Sequence, residues 1–141
     1  MKREFDRRWL DPDKAGAELA ARAAEIAADP ELLAECFGGE LEFGTAGLRG
    51  ILDAGTARMN RLTVGKATQG LARVLLEDHD CPGVAIAYDS RINSTLFSKV
   101  CPLYSYYTAG ISIVRIKLCY CRSRIFIQSG FIIIIRTSRP H

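Results

Sequence analysis

Apolar residues recur at helical spacing along Asp13 to Ala28 (DKAGAELAARAAEIAA), where Leu19, Ala23, Ile26 and Ala27 share a face. The spacing predicts one amphipathic helix, capped by Asp11 or Asp13 and stopped at Asp29-Pro30. That same Asp-Pro step starts a short second helix, ELLAECF, which Gly38-Gly39 is expected to end through positive φ at its C-terminal cap. After a glycine-rich interval, RLTVGKATQGLARVLLED carries Leu62, Val64, Ala67, Leu71, Val74 and Leu75 as a second helical stripe. Cys81-Pro82-Gly83 breaks it. GVAIAYD then reads as a short, fully apolar strand of the buried, parallel kind.

Helix, glycine-rich turn, helix and buried strand in that order predict an α/β layer fold, with functional groups at the carboxyl ends of the strands. Ser94 to Tyr107 has the length of a following helix, but Pro102 inside it would cost about 3 kcal/mol. Tyr104, Tyr106 and Tyr107 make no helical stripe. Beyond them ISIVRIKL, SRIFIQ and GFIIIIR are isoleucine-rich, β-prone and open to aggregation.

Charge divides the chain. All 16 acidic residues lie at or before Asp89, while the segment from Cys101 onward has six Lys or Arg residues and no acid. The charge shift sets off a basic, Ile-rich tail (101–141) from the rest, in which an N-terminal helical region (1–40) precedes the α/β stretch (41–100). At 141 residues, 48% hydrophobic and 25% charged, the chain has the length of one domain and the composition of a globular one. The charged opening MKREFDRRWLD has no apolar segment behind it, so no secretory leader is expected. The longest apolar stretch, Ile125 to Ile135, is interrupted and far short of the about 20 residues a spanning helix needs. No membrane role is expected. Five cysteines at uneven spacing argue for reduced thiols in a cytoplasmic setting over a disulfide framework. Cys119 and Cys121 form a C-x-C pair, but no second ligand pair accompanies it, and the reading is against a metal.

The candidate chemistry lies in ELEFGTAGLRG, Glu40 to Gly50. Glycines at 44, 47 and 50 allow a tight turn and close approach of a ligand, and successive backbone N–H groups in such a turn can form an anion nest. Thr45 adds a hydroxyl. Arg49 adds a planar fork suited to phosphate oxygens, with about 1.5–3 kcal/mol per charge-assisted bond. The stretch is neither a P-loop nor a G-x-G-x-x-G fingerprint. A structural turn with a surface arginine and an anion site both remain open on composition. Arg91 in YDSRINS is either a second cleft cation or a structural partner of Asp89. Asp53 and Asp89 make no credible metal pair. His79, at a helix end, reads as a surface residue.

FGTAGLRG, GTARMN, TVGKATQGLA and GVAIAYDSRINS, in that order between Leu41 and Phe97, resemble the start of an α-D-phosphohexomutase. The branch is the phosphoglucomutase/phosphomannomutase one with an extra helical N-terminus. The resemblance implies an incomplete α/β/α domain I, the first of four domains around a cleft, in a cytoplasmic isomerase of carbohydrate metabolism. It implies interconversion of hexose 1- and 6-phosphates by a phosphoserine donor, through a bisphosphate intermediate, with Mg²⁺ assisting. It places Arg49 beside the phosphoserine, as the catalytic residue of this segment. Thr45, Ala46 and Gly47 shape the phosphate-binding turn, and Arg91 is the further candidate contact.

The family pattern departs after about Lys99. The serine loop, the Mg²⁺ loop, the sugar loop and the C-terminal phosphate domain have no counterpart, and Ser123, Ser129 and Ser138 lack the nucleophile's context. A frameshifted gene end would account for both the charge shift and the lost motifs. The chain alone is therefore expected to be inactive and to bind no Mg²⁺. Two other classes compete: an anion- or nucleic-acid-binding module using the basic tail, and an interaction protein pairing through it. Nucleic acid is disfavoured, because the tail's aromatics and most of its cations sit apart.

Overall fold

A computed structural model describes residues 5–44, 47–78, 83–88, 92–106, 112–117 and 131–136. Thr45, Ala46, His79, Asp89, Arg91, Cys119, Cys121, Ser123, Ser129 and Ser138 lie outside them, as does the SRIFIQ segment. Contacts group the chain into two units, Met1–Thr63 and Val64–His141.

The first unit opens with a 3-10 turn, Arg7–Leu10, and three helices: α1 (Pro12–Ala15), α2 (Ala17–Ala27) and α3 (Pro30–Phe37). Two Asp-Pro steps start α1 and α3 by the same physics. The aspartate side chain accepts from N–H groups of the first turn, and proline fills a position whose own N–H would be orphaned. Asp11 accepts from Asp13, and Asp29 from Glu31 and Leu32. The single helix expected over 13–28 is broken at Gly16, which takes φ +83 as the C-cap of α1 and the N-cap of α2. No L-residue adopts that conformation readily. Gly38, by contrast, ends α3 in a right-handed conformation with φ −69, so the positive φ expected there is not used.

The core of this unit is small and aromatic. Trp9, Ala23, Ile26, Cys36, Phe37 and Ala54 are buried together, with Phe5, Leu19, Leu32, Leu33 and Leu62 around them. Phe37 receives Phe5 and Trp9 edge-on, with ring centroids 4.9 and 5.1 Å away, which suits the ring quadrupoles.

Two short antiparallel strands follow, β1 (Phe43–Gly44) and β2 (Gly47–Leu48), paired Phe43 to Leu48 and Gly44 to Gly47. After a loop, α4 (Arg61–Asp78) runs into the second unit. There Val64, Thr68, Ala72 and Leu75 are its buried face, while Val74 is 53% exposed. The apolar stripe drawn from sequence is thus rotated, with a threonine in the middle. The Thr68 hydroxyl bonds the Val64 carbonyl (2.8 Å) and lies 3.3 Å from Cys101 Sγ, so its polarity is satisfied.

The rest of the second unit is β3 (Gly83–Tyr88), α5 (Ser94–Tyr106), β4 (Ser112–Lys117) and β5 (Phe131–Arg136). β3 is central, parallel to β4 and antiparallel to β5. Val84 and Ile86 are buried, as the apolar run GVAIAYD requires of a central strand. The segment β3–α5–β4 is a β-α-β crossover, the unit from which parallel sheets are built. α5 holds Pro102 in its interior, which leaves the Ser98 carbonyl without its helical donor. Burial of Ser94, Phe97, Ser98, Val100 and Cys101 on this helix offsets that cost. The fold is α/β and incomplete, and the β-prone segments of the tail supply β4 and β5.

Candidate phosphate-binding hairpin

The hairpin grows from the sequence in a simple way. Gly44 and Gly47 face each other across the ladder, and Gly47 has φ +94 with open space where a Cβ would point. That conformation is open to glycine and strained for every other residue. Arg49 follows β2 directly and is exposed. Of the candidate residues, Gly47 and Arg49 are therefore placed on one short hairpin arm. Thr45, Ala46 and Arg91 lie outside the described residues.

Both roots of the hairpin are tied to the loop that carries GTARMN. Leu41 N–H donates to the Thr56 carbonyl at 2.9 Å, and Met59 N–H donates to the Ile51 carbonyl at 2.8 Å. Leu52 and Met59 add an isolated β-bridge. The Thr56 hydroxyl donates to the Gly39 carbonyl at 2.5 Å.

The loop itself is organised by Asn60, which is 5% exposed. Its Oδ1 accepts from Leu62 and Thr63 N–H (3.0 and 3.1 Å) and caps α4. Its Nδ2 reaches the carbonyls of Asp53 (3.0 Å), Gly55 (2.9 Å) and Arg58 (3.3 Å). Thr63 Oγ1 accepts from Asn60 N–H at 3.0 Å, completing a reciprocal capping box. The sequence reading passed over Asn60. An asparagine three residues before a threonine at a helix start was the available signal.

Electrostatics hold the outer side of the loop. The Arg22 guanidinium grips Asp53 with two parallel bonds, Nε to Oδ1 at 2.9 Å and Nη2 to Oδ2 at 3.1 Å. That fork holds the Asp53 carboxyl below the ordinary aspartate range, helped by the Ala54 N–H, and the carboxylate in turn raises Arg22. Arg58 pairs with Glu35, which raises the guanidinium further.

Among the described residues no three His, Cys, Asp or Glu side chains converge. Both Asp53 oxygens are engaged by Arg22. The described carboxylates do not fit a Mg²⁺ ion, which needs several converging oxygens. Among the described residues, also, no helix is long and apolar enough to cross a membrane.

The chain thus carries an α/β unit of β-α-β type, preceded in sequence by a glycine hairpin with an arginine directly after its second strand. The family model "Phosphoglucomutase/phosphomannomutase, alpha/beta/alpha domain I" matches residues 40–121, more than half of the chain. The chain belongs to that family. The match runs through β4, past Phe97 where the motif resemblance ends. Among curated relatives, the chain is 42% identical over 87 residues to the phosphopentomutases of Homo sapiens and Pongo abelii, which is 59% of this chain and 14% of theirs. It is 42% identical over 66 residues to the phosphoglucomutase of Staphylococcus aureus strain USA300, 47% of this chain and 12% of that one. The chain thus spans about one seventh of the length of the phosphopentomutases it matches. No solved structure matches it significantly.

Proposed function

We propose that this chain carries the arginine-bearing phosphate hairpin of a sugar-phosphate phosphomutase, with Arg49 contacting the phosphoryl group in transfer. The observation that carries the reading is Arg49 placed immediately after a hairpin arm whose Gly47 has φ +94, inside the matched family range. Thr45, Ala46 and Gly47 form the turn that brings backbone N–H groups to the phosphate, and Arg91 is a further contact. In phosphoryl transfer, charge spreads over the oxygens in flight, and a fixed guanidinium fork stabilises it.

The parent reaction is interconversion of hexose 1- and 6-phosphates through a phosphoserine. The relatives named as phosphopentomutases extend the candidate substrates to pentose phosphates. Mg²⁺ assistance, a cytoplasmic setting and a place in carbohydrate metabolism belong to the same reading. The 141 residues alone do not complete the reaction, because Ser123, Ser129 and Ser138 lack the sequence context of the phosphorylated nucleophile.

Conversion of glucose 1-phosphate to glucose 6-phosphate by the purified chain is expected at background. Turnover that persists unchanged in Arg49→Ala would contradict the role of Arg49. Turnover abolished by that substitution would contradict only the claim that the chain is inactive alone.

A further inference from the structure

We infer that the N-terminal helices set the conformation of the arginine hairpin, and that Arg22 is the positioning residue through which they do so. The inference rests on the phosphate role of Arg49 proposed above.

Arg22 lies on α2, 31 residues before the carboxylate it holds. Its three nitrogens are all used: Nε and Nη2 on the two Asp53 oxygens, and Nη1 on Glu25 Oε2 at 2.7 Å. Glu25 thereby fixes the plane of the guanidinium before it meets Asp53. The next residue in the loop, Ala54, is fully buried against Ile26 and Cys36 of the small core, so Asp53 cannot shift without moving a core position. Further along, α3 grips the same loop through Glu35 on Arg58 and through the Cys36 carbonyl, which accepts from Ala57 N–H at 3.0 Å. Gly55 approaches the same carbonyl so closely that any side chain there would collide with it.

Segment 53–58 is thus clamped at one end by α2 and at the other by α3. It is also the segment adjoining both hairpin roots: Thr56 receives Leu41, and Met59 reaches back to Ile51. Arg49 is two residues from Ile51. The physical sequence runs from the Arg22 fork to Asp53, from loop 53–58 to residues 41 and 51, and from there to the arm that presents Arg49. A lysine at position 22 would keep the charge and lose the fork, because an ammonium offers a point charge where two oxygens need two parallel donors. Fork and charge are therefore separable by experiment.

The test uses the full 141-residue chain, isotopically labelled, as wild type, Arg22→Ala and Arg22→Lys. The readouts are exchange of the Leu41 and Met59 amides, the Arg49 Nε–H resonance, and titration with inorganic phosphate. Arg22→Ala is expected to speed exchange at both amides about tenfold, the size of one charge-assisted bond, and to move the Arg49 resonance. The amides inside α4 should exchange as in wild type. Arg22→Lys is expected to restore less than half of the lost protection. Unchanged Leu41 and Met59 exchange in Arg22→Ala would overturn the inference, and so would full restoration by lysine. Should Arg22→Ala unfold, Arg22→Lys alone decides, by whether protection at the two roots falls relative to α4. A wild-type chain that binds no phosphate would count against the role of Arg49, while the exchange data would still decide whether Arg22 positions the hairpin.

Discussion

Asn60 Nδ2 donates to the Gly55 carbonyl across 2.9 Å, in a pocket where the asparagine is 5% exposed. The same side chain caps α4, so one residue fixes both the start of a helix and the loop before it. Asn60→Ala removes the cap and the Nδ2 donor of the Asp53, Gly55 and Arg58 carbonyls, although Gly55 keeps the Arg58 N–H and Arg58 keeps the Thr63 hydroxyl. A loss of about 2–4 kcal/mol is expected in urea unfolding. Asn60→Ser keeps the cap and loses the carbonyl bonds, and should fall between wild type and alanine.

Gly55 and Gly47 both have positive φ, but their surroundings differ. A Cβ at Gly55 would meet the Cys36 carbonyl group, with its carbon at 2.9 Å, whereas Gly47 faces open space. Gly47→Ala should therefore cost only the backbone term, about 1–2 kcal/mol. Gly55→Ala should cost more, since backbone of α3 must also give way. Thermal melts of the two variants side by side check the order.

The Asp53 carboxyl is held below its ordinary value by Arg22. A carboxylate with a depressed folded pKa contributes stability that is present above its unfolded pKa and lost as pH falls through the folded one. The wild type should therefore lose this contribution below about pH 4. Asp53→Asn should be less stable at pH 7, with a shallower fall in melting temperature towards pH 3. Parallel curves for the two proteins would contradict the assignment.

Cys36 and Cys101 are both fully buried, and burial pushes the Cys101 thiol up despite the Thr68 hydroxyl beside it. Alkylation of these two thiols should be slow under native conditions and rise with urea along the unfolding curve. Peptide-level mass spectrometry after iodoacetamide pulses reads this directly.

Local signals were legible in the sequence. Asp29-Pro30 marks a helix start because cap and proline act within three residues, and GVAIAYD marks a central strand because its apolar run is unbroken. The break at Gly16 was hidden by alanine-rich neighbours that fit a continuous helix on either side. Thr68 on the buried face could not be read from an apolar stripe, because its partners are a backbone carbonyl and a thiol 33 residues away. Pro102 argued against a helix that packing nonetheless maintains. At the candidate site, motif order singles out Gly47 and Arg49, which lie in β2 and directly after it. The Arg22–Asp53 fork was beyond the sequence, since a 31-residue separation leaves no periodicity to detect.

The central claim is that Arg49 binds a sugar phosphate through its guanidinium. Titration of the labelled chain with glucose 1-phosphate and with ribose 1-phosphate, followed at Gly47, Leu48 and Arg49, tests it most directly. Saturable shifts are expected at these residues, weakened at least about tenfold in Arg49→Ala. Equal binding by wild type and Arg49→Ala, or shifts confined to residues outside the hairpin, would contradict it.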